Sequence, residues 1–493
     1  MNFYMLNESK TKSTIREIGA TSISRRMALQ TSGAAFGSVA LAALAFEHGL
    51  AADASQTKGP ADAHDKNPLR PRPTHHLATA KRCIFLFMPG GPSQIDLFDP
   101  KPRVQAESGC PLPIEKPQLE LTPPGNLMAS PWKFARHGGS GLWVSELLPE
   151  LAKNVDDLCI IRSMVADNIN HTGASLQMNT GDERFPRPSM GSWLTYGLGS
   201  ESEDLPGYVV ISPKSVFQGA PLWGNSFLPG AYQATWIQNL DQPIAHLTPA
   251  TNLARQREQL HLLRNLNKIH QSRLVEDDAL ESRIASFELA FRMQAQAPEA
   301  FELDSESKST CEMYGIGREP TDIMGRQCLM ARRLLERGVR FVQVYDSSIP
   351  APQWDHHSKI QQDLPKCCAG VDRPIAALLA DLKTRGLLDD TLVIWGGEFG
   401  RTPTAQNGDG REHHPFGFSM WLAGGGVRGG VAYGQTDEYG WYAIQDKVHV
   451  HDLHATILHA MGLDHERLTY RWGGRDYRLT DVHGRVVHEI LRA

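Results

Sequence analysis

The chain has 493 residues, of which 41% are hydrophobic and 21% are charged. These ordinary globular values exclude a disordered chain, a collagen-like repeat and a polytopic membrane protein. Fifty basic against 55 acidic side chains give a net charge of -5, so there is no electrostatic reason to expect a nucleic acid partner.

The amino-terminal segment has the pattern of an export signal. Arg25 and Arg26 precede an uncharged run over 27–46 that is rich in Ala, Gly and Ser, and an A-x-A-like cleavage site follows at 52–54. The pattern predicts a twin-arginine signal peptide over residues 1–54 and a periplasmic or extracellular mature protein. A membrane anchor is the alternative, but small residues dominate the run, and we expect no stable membrane span after signal removal.

Residues 55–80 are polar and rich in proline, which predicts a linker before a domain over 81–493. Short apolar runs predict buried strands at Cys83–Met88, Leu158–Ile161, Tyr208–Ile211, Val339–Val344, Thr391–Trp395 and Phe418–Leu422. Helical patterns lie between them at Val144–Lys153, Thr321–Glu336, Val371–Lys383 and Asp452–Met461. This alternation predicts an α/β fold with a doubly wound, mostly parallel sheet and helices on both faces.

One charged segment interrupts that alternation. Residues Asn252–Phe301 have a helical period, contain no glycine and have no proline before Pro298. They predict a helical insertion near 250–300. A solvated helical hairpin is the favoured interpretation, and a lid or an oligomer contact is the alternative.

Two loops after the first predicted strands carry polar groups. Asp96 follows Gly90 and Gly91 in the first loop and offers carboxylate oxygen, although a turn or cap role competes. His171 and Thr172 lie in the second loop, where a strand leads into a helix whose N–H groups favour an anion. A structural role is the usual alternative for a single histidine of this kind.

Two later loops supply imidazoles, a carboxylate and a guanidinium. Asp355 and His357 follow the strand at Val339–Val344, and this pairing suits a divalent metal of the zinc type better than a surface cluster. Glu398 and Arg401 lie among glycines after Thr391–Trp395, with His413 beyond them, and simple Arg–Glu pairing is the competing interpretation. Because parallel strands present their carboxyl ends at one edge, the four loops are expected to meet there.

Other residue patterns are given structural interpretations. The seven cysteines are scattered without a CxxC pair, which disfavours a disulfide scaffold and a thiolate zinc site. The carboxyl end is rich in histidine, and we interpret His451, His454 and His459 as structural, with Asp452 as a helix N-cap. The glycine run at 424–429 is not followed by a convincing helix, which favours a turn over a nucleotide loop.

The strings GGPSQIDLFDPKP at 90–102, WDHH at 354–357, GGEFGRTP at 396–403 and DLHATILHAMG at 452–462 resemble the bacterial domain-of-unknown-function family 1501. That family is sulfatase-like and belongs to the alkaline phosphatase superfamily, and the resemblance spans roughly residues 81–491. It implies a doubly wound α/β sandwich with a metal site at one edge of the sheet. It does not imply a particular substrate.

The superfamily pattern is only half preserved. One metal is typically held by an Asp and a nearby His of one loop and by a later His, and Asp355, His357 and His413 match these positions. For the second metal, Glu398 and Phe399 replace the usual Asp and His, so a second site is at best rebuilt from Glu398 and Asp96.

The nucleophile position also departs from the pattern. The superfamily's nucleophile lies ten positions before the glycine of a TG-like motif, and His171 lies ten positions before Gly181. No C-x-P-x-R or S-x-P-x-R signature occurs, so a formylglycine mechanism is not implied. The resemblance leaves His171 as a metal ligand or an imidazole nucleophile, and Thr172 as the alternative hydroxyl nucleophile.

These observations predict an exported, metal-dependent hydrolase of phosphate or sulfate esters, including those of glycans. Zinc is the expected cation, with calcium as the alternative, and it would polarise the ester and lower the pKa of a water to about 7. Glu398 is expected to complete or orient the site, and Arg401 to neutralise the anion. The alternative is a non-catalytic descendant that binds a polyanionic glycan or an envelope partner. The oligomeric state stays open.

Overall fold

The computed structural model describes residues 68–114, 125–214, 216, 219–244, 252–271, 278–348 and 353–492. All described residues belong to one compact unit, Asn67–Ala493. The predicted signal peptide and the first half of the predicted linker lie outside the described residues.

A nine-stranded sheet forms the centre of this unit. Its strands are β1 Arg82–Phe87, β2 Leu158–Val165, β3 Tyr208–Ile211, β4 Thr235–Ile237, β5 Phe341–Tyr345, β6 Thr391–Gly396, β7 Phe418–Ala423, β8 Val431–Tyr433 and β9 Val448–His449. The order across the sheet is β8-β2-β7-β6-β1-β5-β3-β4, with β9 also paired to β2. Strand β7 is antiparallel to both of its neighbours, and the other pairs are parallel.

Helices connect the parallel strands. They are α1 Gln94–Leu97, α2 Pro102–Ala106, α3 His171–Thr180, α4 Met190–Leu198, α5 Leu253–Gln271, α6 Asp278–Phe301, α7 Lys308–Tyr314, α8 Asp322–Glu336, α9 Ile360–Thr384 and α10 Val450–Ala460. Helices α3 and α4 connect β2 to β3 in one direction across the sheet, whereas α8 precedes β5 and α9 connects β5 to β6 in the other. Right-handed crossovers therefore place the two groups on opposite faces.

The sheet is held on both faces by apolar packing and a few buried polar contacts. On the α3 side, Asn179 Oδ1 accepts hydrogen bonds from Gln343 Nε2 at 2.5 Å and Tyr345 Oη at 3.1 Å. Within the sheet, Ile84 of β1 lies opposite Val342 of β5 and Val393 of β6, and all three are fully buried. Such runs are apolar on both faces because helices cover both faces.

Shorter elements lie around the sheet. Two-stranded ribbons pair Phe134–His137 with Leu142–Ser145, Gly400–Arg401 with His413–His414, Gln435–Thr436 with Ala443–Gln445, and Tyr470–Trp472 with Arg475–Tyr477. Short 3-10 helices are Leu151–Asp157, Ala220–Leu222, Gly230–Tyr232, Leu303–Ser305, Leu388–Asp390 and His488–Ile490.

The six predicted strands, the mostly parallel sheet and the helical insertion are confirmed. The predicted helix at Val144–Lys153 is wrong, because Pro149 interrupts the pattern and the segment is divided between Leu142–Ser145 and Leu151–Asp157. The end of the predicted linker is also packed on the domain, since the Arg72 N–H donates to Leu198 O and the Thr79 N–H to Ala460 O, both at 2.9 Å. No described helix has the length and apolar character needed to cross a bilayer.

Candidate metal centre

Four loops meet at one edge of the sheet. They follow the carboxyl ends of β1, β2, β5 and β6, and the last of these four loops leads into the antiparallel strand β7. Polar side chains that are hundreds of residues apart in sequence are brought together there. The sheet topology therefore confirms the expected meeting of these loops.

His171, Asp355, His357 and His413 form a group that we call the three-histidine cluster. One ligand atom of each lies within 4.8 Å of the others. Asp355 Oδ1 lies 3.2 Å from His171 Nε2, 2.9 Å from His357 Nε2 and 3.4 Å from His413 Nε2. The Nε2 atoms of His357 and His413 are themselves 2.9 Å apart.

The opposite nitrogen of each ring faces an acceptor oxygen. His171 Nδ1 is 2.7 Å from Glu398 Oε1 and His413 Nδ1 is 2.8 Å from Ile169 O. His357 Nδ1 faces the side-chain oxygen of Gln406. In the neutral form of each ring, the proton therefore belongs on Nδ1, and the lone pair of Nε2 points toward Asp355. This is the arrangement that surrounding groups impose on metal-binding histidines.

The electrostatics of the cluster favour a negative charge on Asp355 and a positive charge on His171, but not on His413. Burial opposes ionisation of Asp355, but hydrogen bonds from the three histidines outweigh it and hold the pKa of this carboxyl far below its usual range. Burial also opposes the charged form of His171, yet Asp355 and Glu398 together raise its pKa to about 9. Burial lowers the pKa of His413 to about 4, so this ring is neutral at pH 7.

Local backbone features bring the loops close enough. Gly90 has φ +114°, and a Cβ there would lie 2.6 Å from the backbone nitrogen of Asp355. A Cβ on Gly410 would lie 2.0 Å from the carbonyl carbon of His357. The ribbon between Gly400–Arg401 and His413–His414 pairs His413 with Arg401. Glycine at both positions is therefore a packing requirement of the cluster.

Only one histidine of each His-His pair enters the cluster. His356 is buried on the other side of its loop, with Nε2 3.7 Å from Cys367 Sγ, and burial lowers its pKa to about 4. His414 Nε2 lies 2.5 Å from Trp441 O. His413 and His414 are successive residues of a strand, in which adjacent side chains point to opposite faces.

The structure corrects the sequence-based roles of two residues. Asp96 is fully buried and accepts two hydrogen bonds from Arg411, from Nε at 2.7 Å and Nη2 at 3.0 Å, so it forms an ion pair outside the cluster. Arg401 is also fully buried. Its guanidinium donates to Asp355 Oδ1 at 2.5 Å and to backbone carbonyls that include Gly91 O and Arg411 O, which leaves it to position Asp355 rather than to hold a substrate anion.

Glu398 and Thr172 are placed beside the cluster. Glu398 Oε1 accepts from the Gly90 N–H at 2.9 Å and from His171. Glu398 Oε2 is buried and has no hydrogen-bond partner among the described residues. Thr172 is exposed at the second position of α3, and its hydroxyl forms no hydrogen bond with the cluster.

Sequence reasoning missed the groups that orient two of the rings. Ile169 acts through its backbone carbonyl, which has no sequence signature. Gln406 is itself held by Glu412, whose Oε1 accepts the His413 N–H at 2.9 Å. The sequence signal for Glu412 was its position directly before the pair His413–His414.

A second group of possible ligands, Asp167, His449 and His451, lies at the same edge, and we call it the His449 cluster. His449 Nδ1 accepts the His451 backbone N–H at 3.2 Å as the N-cap of α10. Its proton therefore lies on Nε2, which donates to Asp167 Oδ2 at 3.0 Å. The expected N-cap, Asp452, instead accepts the His449 N–H from within the first turn.

Comparisons with other proteins place this architecture in context. A family model described as "Protein of unknown function (DUF1501)" matches residues 80–491. No curated protein matches the chain. Each solved structure below shares only a low fraction of identical residues with the chain.

Three solved structures overlap it loosely. Ps i-CgsB in complex with k-i-k-neocarrahexaose is 10% identical with TM-score 0.37, covering 78% of this chain and 72% of its own. The PsFucS1 sulfatase from Pseudoalteromonas sp. is 13% identical with TM-score 0.33, covering 78% and 68%. The alkaline phosphatase from the Antarctic bacterium TAB5 is 10% identical with TM-score 0.34, covering 79% and 99%. At such values the chemistry has to be argued from this chain's own residues.

Proposed function

The chain belongs to the DUF1501 family, and from that premise and the geometry of the three-histidine cluster we propose that it is an exported, metal-dependent hydrolase of phosphate or sulfate esters. The observation that carries the proposal is the direction of the imidazole nitrogens. Each ring has an acceptor at Nδ1 and presents Nε2 to the same carboxylate oxygen. Bringing these polar atoms together in a partly buried site costs free energy unless a proton or a cation lies between them.

The donor set fits zinc. Imidazole nitrogen and carboxylate oxygen are its usual protein ligands besides thiolate, whereas calcium takes six to eight oxygens. The buried, unpartnered Oε2 of Glu398 is a further negative atom beside the cluster, and it supports a bound cation. We therefore assign His171, His357, His413 and Asp355 as the residues that hold zinc.

A bound divalent cation supplies Lewis acidity toward an ester oxygen and brings the pKa of a water near 7. The chain's own residues orient the site. Glu398 fixes the ring of His171, Ile169 O fixes that of His413, and Gln406 fixes that of His357. Arg401 holds Asp355 from the buried side.

Water is the attacking group that fits the geometry. His171 has Nδ1 2.7 Å from Glu398 Oε1 and Nε2 3.2 Å from Asp355 Oδ1, which favours a ligand role over that of an imidazole nucleophile. The Thr172 hydroxyl makes no hydrogen bond with the cluster, so Thr172→Ala is expected to leave hydrolysis little changed. A complete loss of hydrolysis with metal retained would assign the attack to Thr172 instead.

The test of the proposed function compares His357→Ala with wild type. Metal content by plasma mass spectrometry and hydrolysis of nitrophenyl phosphate and nitrophenyl sulfate are measured on both. We expect wild type to hold about one zinc per chain, and the variant to lose both the zinc and the hydrolysis. His137→Ala, in the ribbon Phe134–His137, is the matched control and should behave as wild type. Equal metal and equal activity in His357→Ala and wild type would exclude the proposal.

A second candidate is a non-catalytic protein that keeps one closed cation site and binds a polyanionic glycan or an envelope partner. Two observations favour it. Four protein donors converge, as in structural zinc sites, and both Arg401 and Arg411 are already committed to carboxylates. Retained zinc together with no turnover of any ester, and binding to a sulfated polysaccharide, would decide for this candidate.

A further inference from the structure

The helical insertion carries an exposed apolar strip that is unrelated to the metal centre. On α5, the side chains of Leu262, Leu263 and Ile269 are 41%, 52% and 47% exposed. Leu262, Leu266 and Ile269 are spaced by four and three residues, which places them on one side of the helix, with Leu263 beside them. We call these four residues the α5 strip.

The two helices of the insertion differ in how they meet the domain. Helix α6 contributes Leu289, Met293, Ala300 and Phe301 to the core. None of the described side chains of α5 is buried. The apolar strip of α5 is therefore not explained by packing within the described part of the chain.

The charge of α5 is opposite to that of the chain. Arg255, Arg257, Arg264 and Lys268 lie on it against the single acid Glu258, an excess of three positive charges in a chain of net charge -5. Arg255 and Arg257 are exposed. Arg257, Arg264 and Lys268 are at helical positions away from the strip, as in helices that lie on a membrane surface.

We propose that α5 lies on an anionic lipid surface, with Leu262, Leu263, Leu266 and Ile269 at the boundary between headgroups and acyl chains. Arg257, whose helical position is away from the strip, then faces the phosphates, and the excess of positive charge on α5 favours an anionic surface as the partner. A second copy of α5 is disfavoured because two helices with excess positive charge repel each other. Nucleic acid would satisfy the arginines but would leave the leucines in water.

The experiment uses the full chain and sedimentation with sucrose-loaded vesicles. Vesicles of phosphatidylcholine alone are compared with vesicles that also contain phosphatidylglycerol. The proposal predicts binding to the anionic vesicles, weak or no binding to the neutral ones, and weaker binding as salt is raised. Equal binding to both vesicle types, or none to the anionic ones, would overturn it.

Variants test whether binding to the vesicles depends on α5. The triple variant Leu262→Gln, Leu263→Gln, Ile269→Gln should lower affinity for anionic vesicles at least roughly tenfold, and so should Arg255→Glu with Arg257→Glu. Ile444→Gln changes an isoleucine that is 60% exposed in the strand Ala443–Gln445, outside α5, so it is the control and should bind as wild type.

Two further readouts make the outcomes distinct. Circular dichroism and zinc content should be unchanged in the triple variant, since α5 is remote in sequence from the ligands and is not part of the core. If the triple variant binds vesicles as wild type does, the proposal is wrong. If sedimentation velocity shows that the variant converts a dimer to a monomer while lipid binding is unchanged, the strip is a contact between copies instead.

Discussion

The three-histidine cluster and the His449 cluster are built from the same residue types at the same edge of the sheet, and they differ in where their protons lie. His171, His357 and His413 each present Nδ1 to an acceptor oxygen. His449 presents Nδ1 to a backbone N–H, which makes that nitrogen an acceptor. Its Nε2 must then carry the proton and donate a hydrogen bond to Asp167.

This difference shows that the contacts of Nδ1 in each ring distinguish a group of metal ligands from a structural group. Both clusters satisfy a simple count of nearby His and Asp atoms. In their neutral forms, the three rings of the first cluster present the lone pair of Nε2 to the centre of the group, whereas Nε2 of His449 carries a proton. The His449 cluster is a helix cap whose ring is also hydrogen-bonded to a carboxylate, and the following variants test the distinction.

The largest expected effect is on metal affinity. His413→Ala removes one of the proposed ligands and should weaken zinc binding by more than about 100-fold, beyond what loss of an orienting group costs. His449→Ala should leave zinc affinity unchanged, because its Nε2 carries a proton. Both are measured by competition with a fluorescent chelator. Equal losses in the two variants would abolish the distinction between the clusters.

A smaller effect is expected from Glu398, which touches only one ring. Glu398→Gln keeps an acceptor for His171 Nδ1 but removes the negative charge, and zinc affinity should fall by roughly 10- to 100-fold. Asp167→Asn is the matched change in the His449 cluster and should not alter zinc affinity. If Asp167→Asn weakens zinc binding as much as Glu398→Gln, the clusters are not functionally separate.

The His449 cluster should instead affect stability. His449→Ala removes the side chain that caps α10, so the free energy of unfolding should fall by about 1 kcal/mol. Urea unfolding of the variant and of wild type measures this difference. His449→Asn, which keeps a capping acceptor, should recover most of the loss. No change in His449→Ala would show that the cap contributes nothing.

The smallest effect is a pH dependence of that stability. A hydrogen bond from His449 holds the pKa of Asp167 at about 2, below its ordinary value of 3.8. A carboxyl whose pKa is lower in the folded state stabilises the fold above about pH 5 and loses this contribution as the pH falls toward 2. The difference in unfolding free energy between wild type and Asp167→Asn should therefore narrow below pH 5. A difference that grows on acidification would contradict the assignment.

Much of the fold was predictable from local pattern. The strands at Tyr208–Ile211 and Thr391–Gly396 are apolar runs of strand length, and burial on both faces leaves them no other position than the centre of a sheet. Short edge elements such as Val431–Tyr433 and Val448–His449 carry no such signal, because they are only partly buried. The helix predicted at Val144–Lys153 is the opposite error. The apolar periodicity of that segment was given more weight than Pro149, a residue that ends helices.

The site was predictable where topology decides and unpredictable where long-range pairing decides. Asp355, His357 and His413 follow strand ends, so a parallel sheet brings them together. Asp96 looked equally available, but Arg411, 315 residues away, takes both of its oxygens. The same holds for Arg401, whose partners at Gly90 and Asp355 come from two other loops. Such partners are visible only in three dimensions.

The most direct test of the central claim is an anomalous difference map at the zinc edge from crystals of the protein with zinc. We expect one peak at about 2.0–2.2 Å from Nε2 of His171, His357 and His413 and from an oxygen of Asp355. A peak between Asp167, His449 and His451, or no peak at the three-histidine cluster, would contradict it.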